Sequence, residues 1–499
     1  MMKKYNMLTD SPGKSLFFFA LPMILGNLFQ QFYSTVDSII VGQFVGEEAL
    51  AAVGASYSLT TVFIMIAIGG GIGASVITSQ YLGAGLYRKM KTSVYTALIS
   101  FLTVSVVLGT IGLVFCRAIL TALNTPENIM AGAMLYLKIY FAGLPFLFMY
   151  NILSSVFNAL GNSRTPLYLL IFSSLLNIAL DLILVRGFGL GIGGAAGATV
   201  FAQGLSAFIS FCLLMKSLKT YRSGEEDRQA PDKAGLGELT AADGQSRMQG
   251  RETGGWPDSA GRAREGAKAP GEHGAALFDM QMLGNMIKVA IPSMLQQSIV
   301  SIGMLLVQSV VNGFGSSVLA GYTAGMRIES ICIVPMIASG NAVSTFTAQN
   351  LGAGDPSRVK EGYRAAVKMV AAFAVIICLT LALFHESIIR SFLEEGSEAA
   401  AFETGNAYLS FIGFFFVFIG LKAITDGVLR GAGDVLVFTL ANLVNLGIRV
   451  TIAFAFASVW GVQAVWIAVP VGWASNYLIS FIRYLSGKWS RKKLIRIEE

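Results

Sequence analysis

Asp37 and Asp181 are the side chains of this chain best placed to do chemistry, because each puts a carboxylate into a run of about 20 residues almost free of other charge. A charge at the centre of a bilayer costs about 2.5–3.5 kcal/mol even on lenient insertion scales, so each acid needs a partner, a cation or water. Asp37 ends a polar stripe, Asn27, Gln30, Tyr33 and Asp37, whose three-to-four spacing gathers it on one helical face. Asn177 stands one turn before Asp181, and Thr199, in the next apolar run, comes to a similar depth at about 1.5 Å of rise per residue. Carboxylate, amide and hydroxyl oxygens are hard ligands that suit Na⁺ or a proton rather than a soft transition metal. Two carboxylates sharing a dry site can also hold one proton between them. A lone Asn or Thr in such a place is explained by pairing with a neighbouring helix. The set Asp37, Asn177, Asp181 and Thr199 favours a cation-coupling site, because no Lys or Arg stands on the same segments at that depth.

The elements that position these groups follow from composition. Of 499 residues, 54% are hydrophobic and 13% charged, too little polar surface to cover a water-soluble globule. Apolar runs of spanning length fall near 15–41, 50–77, 92–114, 132–160, 166–186, 193–216, 284–311, 318–346, 363–385, 402–429, 435–457 and 461–485. Strand alternation is absent, which excludes a β-barrel. The first run is too long for a signal-peptide core and is read as a span. Cys116, Cys212, Cys332 and Cys378 lie in or beside apolar runs and read as small packing residues. The net charge of +7 comes from Lys and Arg concentrated at the N-terminus, around 88–91, at Arg164, in 216–268, around 358–364 and after 488, all in alternate connections. By the positive-inside rule both termini are cytoplasmic, and the basic balance reflects topology rather than nucleic-acid binding.

Residues 217–283 interrupt the pattern with Gly, Pro, Ala and mixed charge, and read as a disordered cytoplasmic linker, His273 included. It separates an N-terminal lobe, 1–216, from a C-terminal lobe, 284–485, and a basic cytoplasmic tail, 486–499, follows. The lobes repeat. The sequence QYLGAG at 80–85 returns as QNLGAG at 349–354, and NALGN at 158–162 as RGAGD at 430–434, each roughly 270 residues on. Six spans per half give both halves the same orientation. The expected fold is therefore an all-α membrane protein of twelve transmembrane helices in two six-helix lobes related by a pseudo-two-fold axis along the membrane normal, with substrate bound between them.

The second half carries different charges. Lys422, Asp426 and Arg430 recur at spacing four and read as an ion-pair ladder, while Arg327 and Glu329 each need a partner. Aligning Asn177 with Asn445 puts Arg449 where Asp181 stands, so the second half should hold no equivalent cation, and Arg449 is assigned to packing or a local ion pair. The run GGGIG at 69–73 lies in an apolar span and suits close helix crossing, not nucleotide binding. His385 has no acid and nucleophile near it in sequence, and no Walker motif is present, so the protein is not expected to be an enzyme.

Pro22, the two LGAG repeats, GNSRTP at 161–166, NIALD at 177–181 followed by GIGGAAGAT at 191–199, and GMRIES at 325–330 together resemble the multidrug and toxic compound extrusion (MATE) family, in its DinF-like bacterial subgroup. The resemblance implies an antiporter of the bacterial cytoplasmic membrane that exports amphipathic, often cationic, drug-like compounds against H⁺ or Na⁺ by rocking two lobes, as a monomer in lipid and without a cofactor. It implies the coupling site at Asp37, Asn177, Asp181 and Thr199, the same four holding Na⁺ where that is the ion, with Tyr33 and Asn151 as a supporting network and Pro22 as a helix bend. The alternative is a lipid-linked oligosaccharide flippase of the same superfamily, which would line its cavity with arginines where this first lobe offers acids. Further off stand an intramembrane enzyme or a channel, which need a catalytic pair or a continuous polar pore.

Deleting most of 223–274 is expected to leave membrane level and transport near those of the full chain, since loop closure depends weakly on length. Loss of transport at an unchanged membrane level would show that this segment has a function.

Overall fold

In the computed structural model, residues 5–123, 125–229, 275–392, 399–492 and 494–495 are described, and among them there are helices and no strands. The first half holds α1 (Pro12–Phe44), α2 (Glu47–Gly83), α3 (Tyr87–Ala122), α4 (Glu127–Ala159), α5 (Arg164–Asp181) with a π-helical turn Leu182–Gly187, and α6 (Gly191–Gln229). The second holds α7 (Met280–Asn312), α8 (Ser316–Gly352), α9 (Pro356–Phe392), α10 (Ala399–Ile412) running through a short 3₁₀ turn into α11 (Phe416–Gly431), α12 (Val435–Trp460) and α13 (Gln463–Leu485). With α10 and α11 as one span, twelve helices are long and apolar enough to cross a membrane. Large apolar side chains such as Val114, Leu383 and Leu436 are exposed on the outside, as a lipid-facing surface requires.

Local sequence sets the boundaries. Proline at the first position starts α1 and α9, where its missing N–H costs nothing. Asp279 caps α7 by accepting from Met282 N–H at 2.9 Å, and Asp355 does the same for Arg358 N–H at 2.9 Å at the start of α9. Helices run past the apolar cores of their sequence runs because polar ends still favour helix. At α6 this reaches into the segment assigned to the linker: 217–229 is helical, with Leu218 buried and Tyr221 packed 5.6 Å from the Tyr87 ring. The remaining linker calls, at 230–274 with His273, lie outside the described residues. Part of the segment assigned to the basic tail packs on the bundle. Trp489 is fully buried and donates to Tyr484 O at 2.9 Å, Lys492 pairs with Asp434 at 3.7 Å, and Ile495 is buried in a cluster with α2 and α3 side chains.

Within each half the second helix packs on the fourth span, α2 on α4 and α8 on α11. Between halves, α1 packs on α8 while α7 packs on α2, the exchange a two-fold relation demands. The glycine run explains the second contact: a Cβ at Gly69 would meet Met294 backbone at 2.7 Å, and one at Gly73 would meet Met286 O at 2.5 Å, so the two helices touch main chain to main chain. The repeated motifs meet each other at the end of the bundle that carries both termini. A Cβ at Gly83 would lie 1.8 Å from Gln349 O, and one at Gly352 would lie 2.0 Å from Gln80 O. Around them Gln80 donates across the halves to Gly431 O at 3.1 Å, and Gln349 donates the other way to Ala159 O at 2.8 Å.

Gly352→Ala should therefore wedge the halves apart, at an overpacking cost of about 1–3 kcal/mol, whereas Gly447→Ala, with open space at its Cβ, should not. Recovery of monodisperse protein after graded heating in detergent checks this. Equal heat resistance of the two variants would contradict the contact.

Candidate functional site

Three helices of the first half bring the carboxylates together. Asp181 is the last residue of α5 and fully buried, and the π turn that follows it, in which Phe188 N–H reaches Ile183 O at 2.9 Å, leaves the helix irregular at the acid. Asp37 and Tyr33 reach it from α1, with Asp37 and Asp181 close enough to share a hydrogen bond when one is protonated. Thr199 comes from α6, where its hydroxyl lies 3.1 Å from Ala195 O. Asn177 joins the three. In the amide orientation that satisfies all its neighbours, its nitrogen donates to Asp181 Oδ2 at 3.1 Å and to Tyr33 Oη at 2.7 Å, while its oxygen accepts from Thr199 N–H at 3.0 Å and Thr199 Oγ1 at 3.2 Å. Asp181 Oδ1 is buried with no hydrogen-bond partner, so one carboxylate oxygen is free to take a proton or a cation. Among the described residues no Lys or Arg forms an ion pair with either acid.

The structure thus brings Asp37, Asn177, Asp181, Thr199 and Tyr33 into one cluster, and it sets Asn151 apart. Asn151 donates to Leu147 O at 2.8 Å within α4 and lines the space between the halves, since a side chain deeper along α4 faces the other half rather than α5. Tyr136, which sequence reasoning missed, lies near both acids from α4. It also borders a pocket of about 10 Å³ beside Thr199, roughly the room of one water. Its only signal was an aromatic hydroxyl one turn from Tyr140 in an apolar run. Pro22 lies inside a continuous α1 and lines the central space.

That central cavity has a volume of about 530 Å³. The first half lines it with amides and hydroxyls, Asn27, Gln30, Asn151 and Asn158 among them, and neither Asp37 nor Asp181 reaches it. The second half lines it with Glu329, Lys422, Asp426, Arg430, Asn445 and Arg449. Only part of the expected ladder forms. Lys422 Nζ lies 3.2 Å from Asp426 Oδ2, but Arg430 turns to α8, where it donates to Asn341 at 2.7 Å and Ser344 at 3.3 Å. Glu329 is buried and accepts from the Tyr408 hydroxyl. Arg449 makes no ion pair among the described residues, which removes the second of the two roles assigned to it, packing or a local ion pair, and its Nε is buried without a partner.

Two interlocked six-span halves thus surround a shared cavity, and the first of them holds a carboxylate pair, Asp181 fully buried and Asp37 half-buried. The MatE family model matches residues 22–183 and 292–455, one segment in each half, and the chain belongs to the MATE family of transporters. It is 28% identical to the probable multidrug resistance protein YpnP of Bacillus subtilis over 99% of both chains. It is 24% identical to an FAD transporter of Shewanella oneidensis over 79% of this chain and 77% of that one. An outward-facing structure of a multidrug resistance MATE family transporter superposes with a TM-score of 0.81 at 21% identity, covering 98% of this chain and 99% of that one, and shares the twelve-helix, two-lobe fold.

Titrating the detergent-solubilised protein with H⁺, and separately with Na⁺ at fixed ionic strength, should change its tryptophan fluorescence through this cluster. Asp181→Asn should lose that response, and Asn151→Ala, altered only in the cavity, should keep it. The reverse pattern would move the cation site to the cavity wall.

Proposed function

We propose that the chain is a multidrug efflux antiporter of the bacterial cytoplasmic membrane, both termini cytoplasmic, that exports amphipathic organic compounds in exchange for H⁺ or Na⁺. The observation that carries this reading is the Asp37–Asp181 pair: a half-buried carboxylate beside a fully buried one that Asn177 ties to Thr199 and Tyr33, with no Lys or Arg in an ion pair with either among the described residues. Such a pair binds a small cation far better than it tolerates two bare charges.

Coupling needs the cation to favour one lobe arrangement over the other. Helix α1 supplies the link. Its Tyr33 and Asp37 belong to the cation cluster, its Asn27 and Gln30 line the cavity, and it packs on α8 and α9 of the other half. A cation drawing Asp37 toward Asp181 pulls α1 onto α5 and α6 and so shifts its hold on the second half. The described cross-half contacts, from Met65 and Ser301 to the paired LGAG motifs, close the end that carries the termini. With the termini cytoplasmic, this arrangement is the state shut toward the cytoplasm.

Proteoliposomes loaded with a fluorescent amphiphile, given a pH gradient and a Na⁺ gradient in separate experiments, should export it with one of them. Asp37→Asn and Asp181→Asn each keep side-chain size and remove the charge, and both should lose gradient-driven export while reconstituting normally. Export at the native rate in both variants would remove this coupling site.

A further inference from the structure

The cavity wall of the second half repeats the cation site with its charge reversed. Asn445 and Arg449 on α12 occupy the repeat positions of Asn177 and Asp181 on α5, and both line the central cavity. Asn445 is buried, and its Oδ1 has no hydrogen-bond partner; neither has Arg449 Nε, nor Gln296 Oε1 across the cavity on α7. Buried polar atoms are nearly always satisfied, and of these three Arg449 Nε is the donor, the one that an anionic ligand group can satisfy, while the two amide oxygens accept. The room is built in. A Cβ at Gly472 on α13 would come within 2.2 Å of Asn445 Oδ1 and 2.8 Å of Arg449 Cγ, so only glycine lets these two side chains lie as they do.

Charge decides the kind of ligand. The cavity lining holds three cations, Lys422, Arg430 and Arg449, and two acids, Glu329 and Asp426. Asp426 is occupied by Lys422 and by Ser480 at 2.6 Å, and Glu329 by Tyr408. Arg430 is occupied by neutral acceptors on α8. Arg449, whose charge Glu329 is near enough to feel, makes no hydrogen bond or ion pair among the described residues, and its Nε is buried without a partner. A planar guanidinium held this way binds a carboxylate or phosphate-type oxyanion with charge-assisted hydrogen bonds. Trp473, Ile333, Ile419 and Phe438 supply apolar walls beside it, and about 530 Å³ accommodates a small aromatic molecule.

We infer that Arg449, positioned by Gly472 and Asn445, is the recognition point for the anionic group of an amphipathic substrate, so that the cargo is an organic anion or zwitterion rather than a simple organic cation. The inference rests on the transport reading for the word cargo, but the binding itself does not.

Equilibrium dialysis of the full-length protein in detergent, at fixed ionic strength, compares 2-naphthoate with 2-naphthyl-trimethylammonium, which share an aromatic body. The wild type should bind naphthoate about tenfold or more tightly than the ammonium compound, and Arg449→Gln should lower naphthoate affinity by about tenfold or more while leaving the ammonium compound within about twofold. Arg449→Lys, which keeps the charge, should retain most of the naphthoate binding, and an intact fluorescence response to H⁺ or Na⁺ confirms that each variant is folded. Preference for the ammonium compound, or naphthoate affinity unchanged in Arg449→Gln, would overturn the inference. Displacement of naphthoate by short-chain phosphatidylglycerol but not by a second small carboxylate would overturn it too, by assigning the site to a lipid headgroup. Arg449-dependent naphthoate binding without gradient-driven export would uphold it and remove the transport reading instead.

Discussion

The contact on which the rest of the molecule depends is the meeting of the two LGAG repeats, where main chain touches main chain across the halves. Gly83 and Gly352 each face the other's preceding glutamine carbonyl, and Gln80 and Gln349 exchange hydrogen bonds with the C-terminal turns of α11 and α4. No side chain larger than hydrogen fits at either glycine, and both glutamines are buried. Close backbone approach of this kind is how helices associate where lipid removes the ordinary hydrophobic drive. Because four helix ends converge there, opening the cavity at this end breaks the set together and favours two discrete arrangements over a continuum. The tail adds to it: Leu494 O accepts from Asn285 on α7 at 2.9 Å, and Asp434, almost wholly buried, takes Arg483 at 2.5 Å.

Symmetry at that end makes the asymmetry elsewhere informative. A duplicated chain that kept equivalent chemistry in both halves would bind its coupling ion twice, on either side of the substrate. Here one repeat position carries Asp181, sealed within its own half, and the other carries Arg449, open to the space between halves. A proton or Na⁺ and an organic oxyanion would accordingly meet different walls of the protein and communicate through α1 rather than by direct competition. That separation suits exchange, because the ion's effect is then a shift of lobe population.

Much of this was legible in the sequence. Long apolar runs gave the spans, since bilayer thickness leaves few other structures open to such segments. That these polar groups lie together was legible because charge is so costly there that Asp37 and Asp181 had to be explained, and helical spacing then brought in Asn177 and Tyr33. Asn151 was misplaced because depth along a helix does not say which neighbour a face meets. Tyr136 was missed because a tyrosine in an apolar run signals nothing until its surroundings are known. For the second half, spacing alone described an ion-pair ladder, and only the fold shows Arg430 leaving it for α8 and Arg449 without an ion pair among the described residues. Charge dominates the composition of the tail, and the sequence alone did not show that Trp489 and Ile495 in it are buried.

The central claim is that the cation held by Asp37 and Asp181 controls whether the LGAG contact stays closed. It is tested most directly by the distance between spin labels at Ala84→Cys and Ala353→Cys, which follow the two glycines, in a background with the four native cysteines replaced and the protein in lipid nanodiscs. Lowering pH, or adding Na⁺, should redistribute the populations at short and long distance in the otherwise native protein and leave them unmoved in Asp181→Asn. A distribution insensitive to both ions, or one that moves equally in Asp181→Asn, would contradict the account.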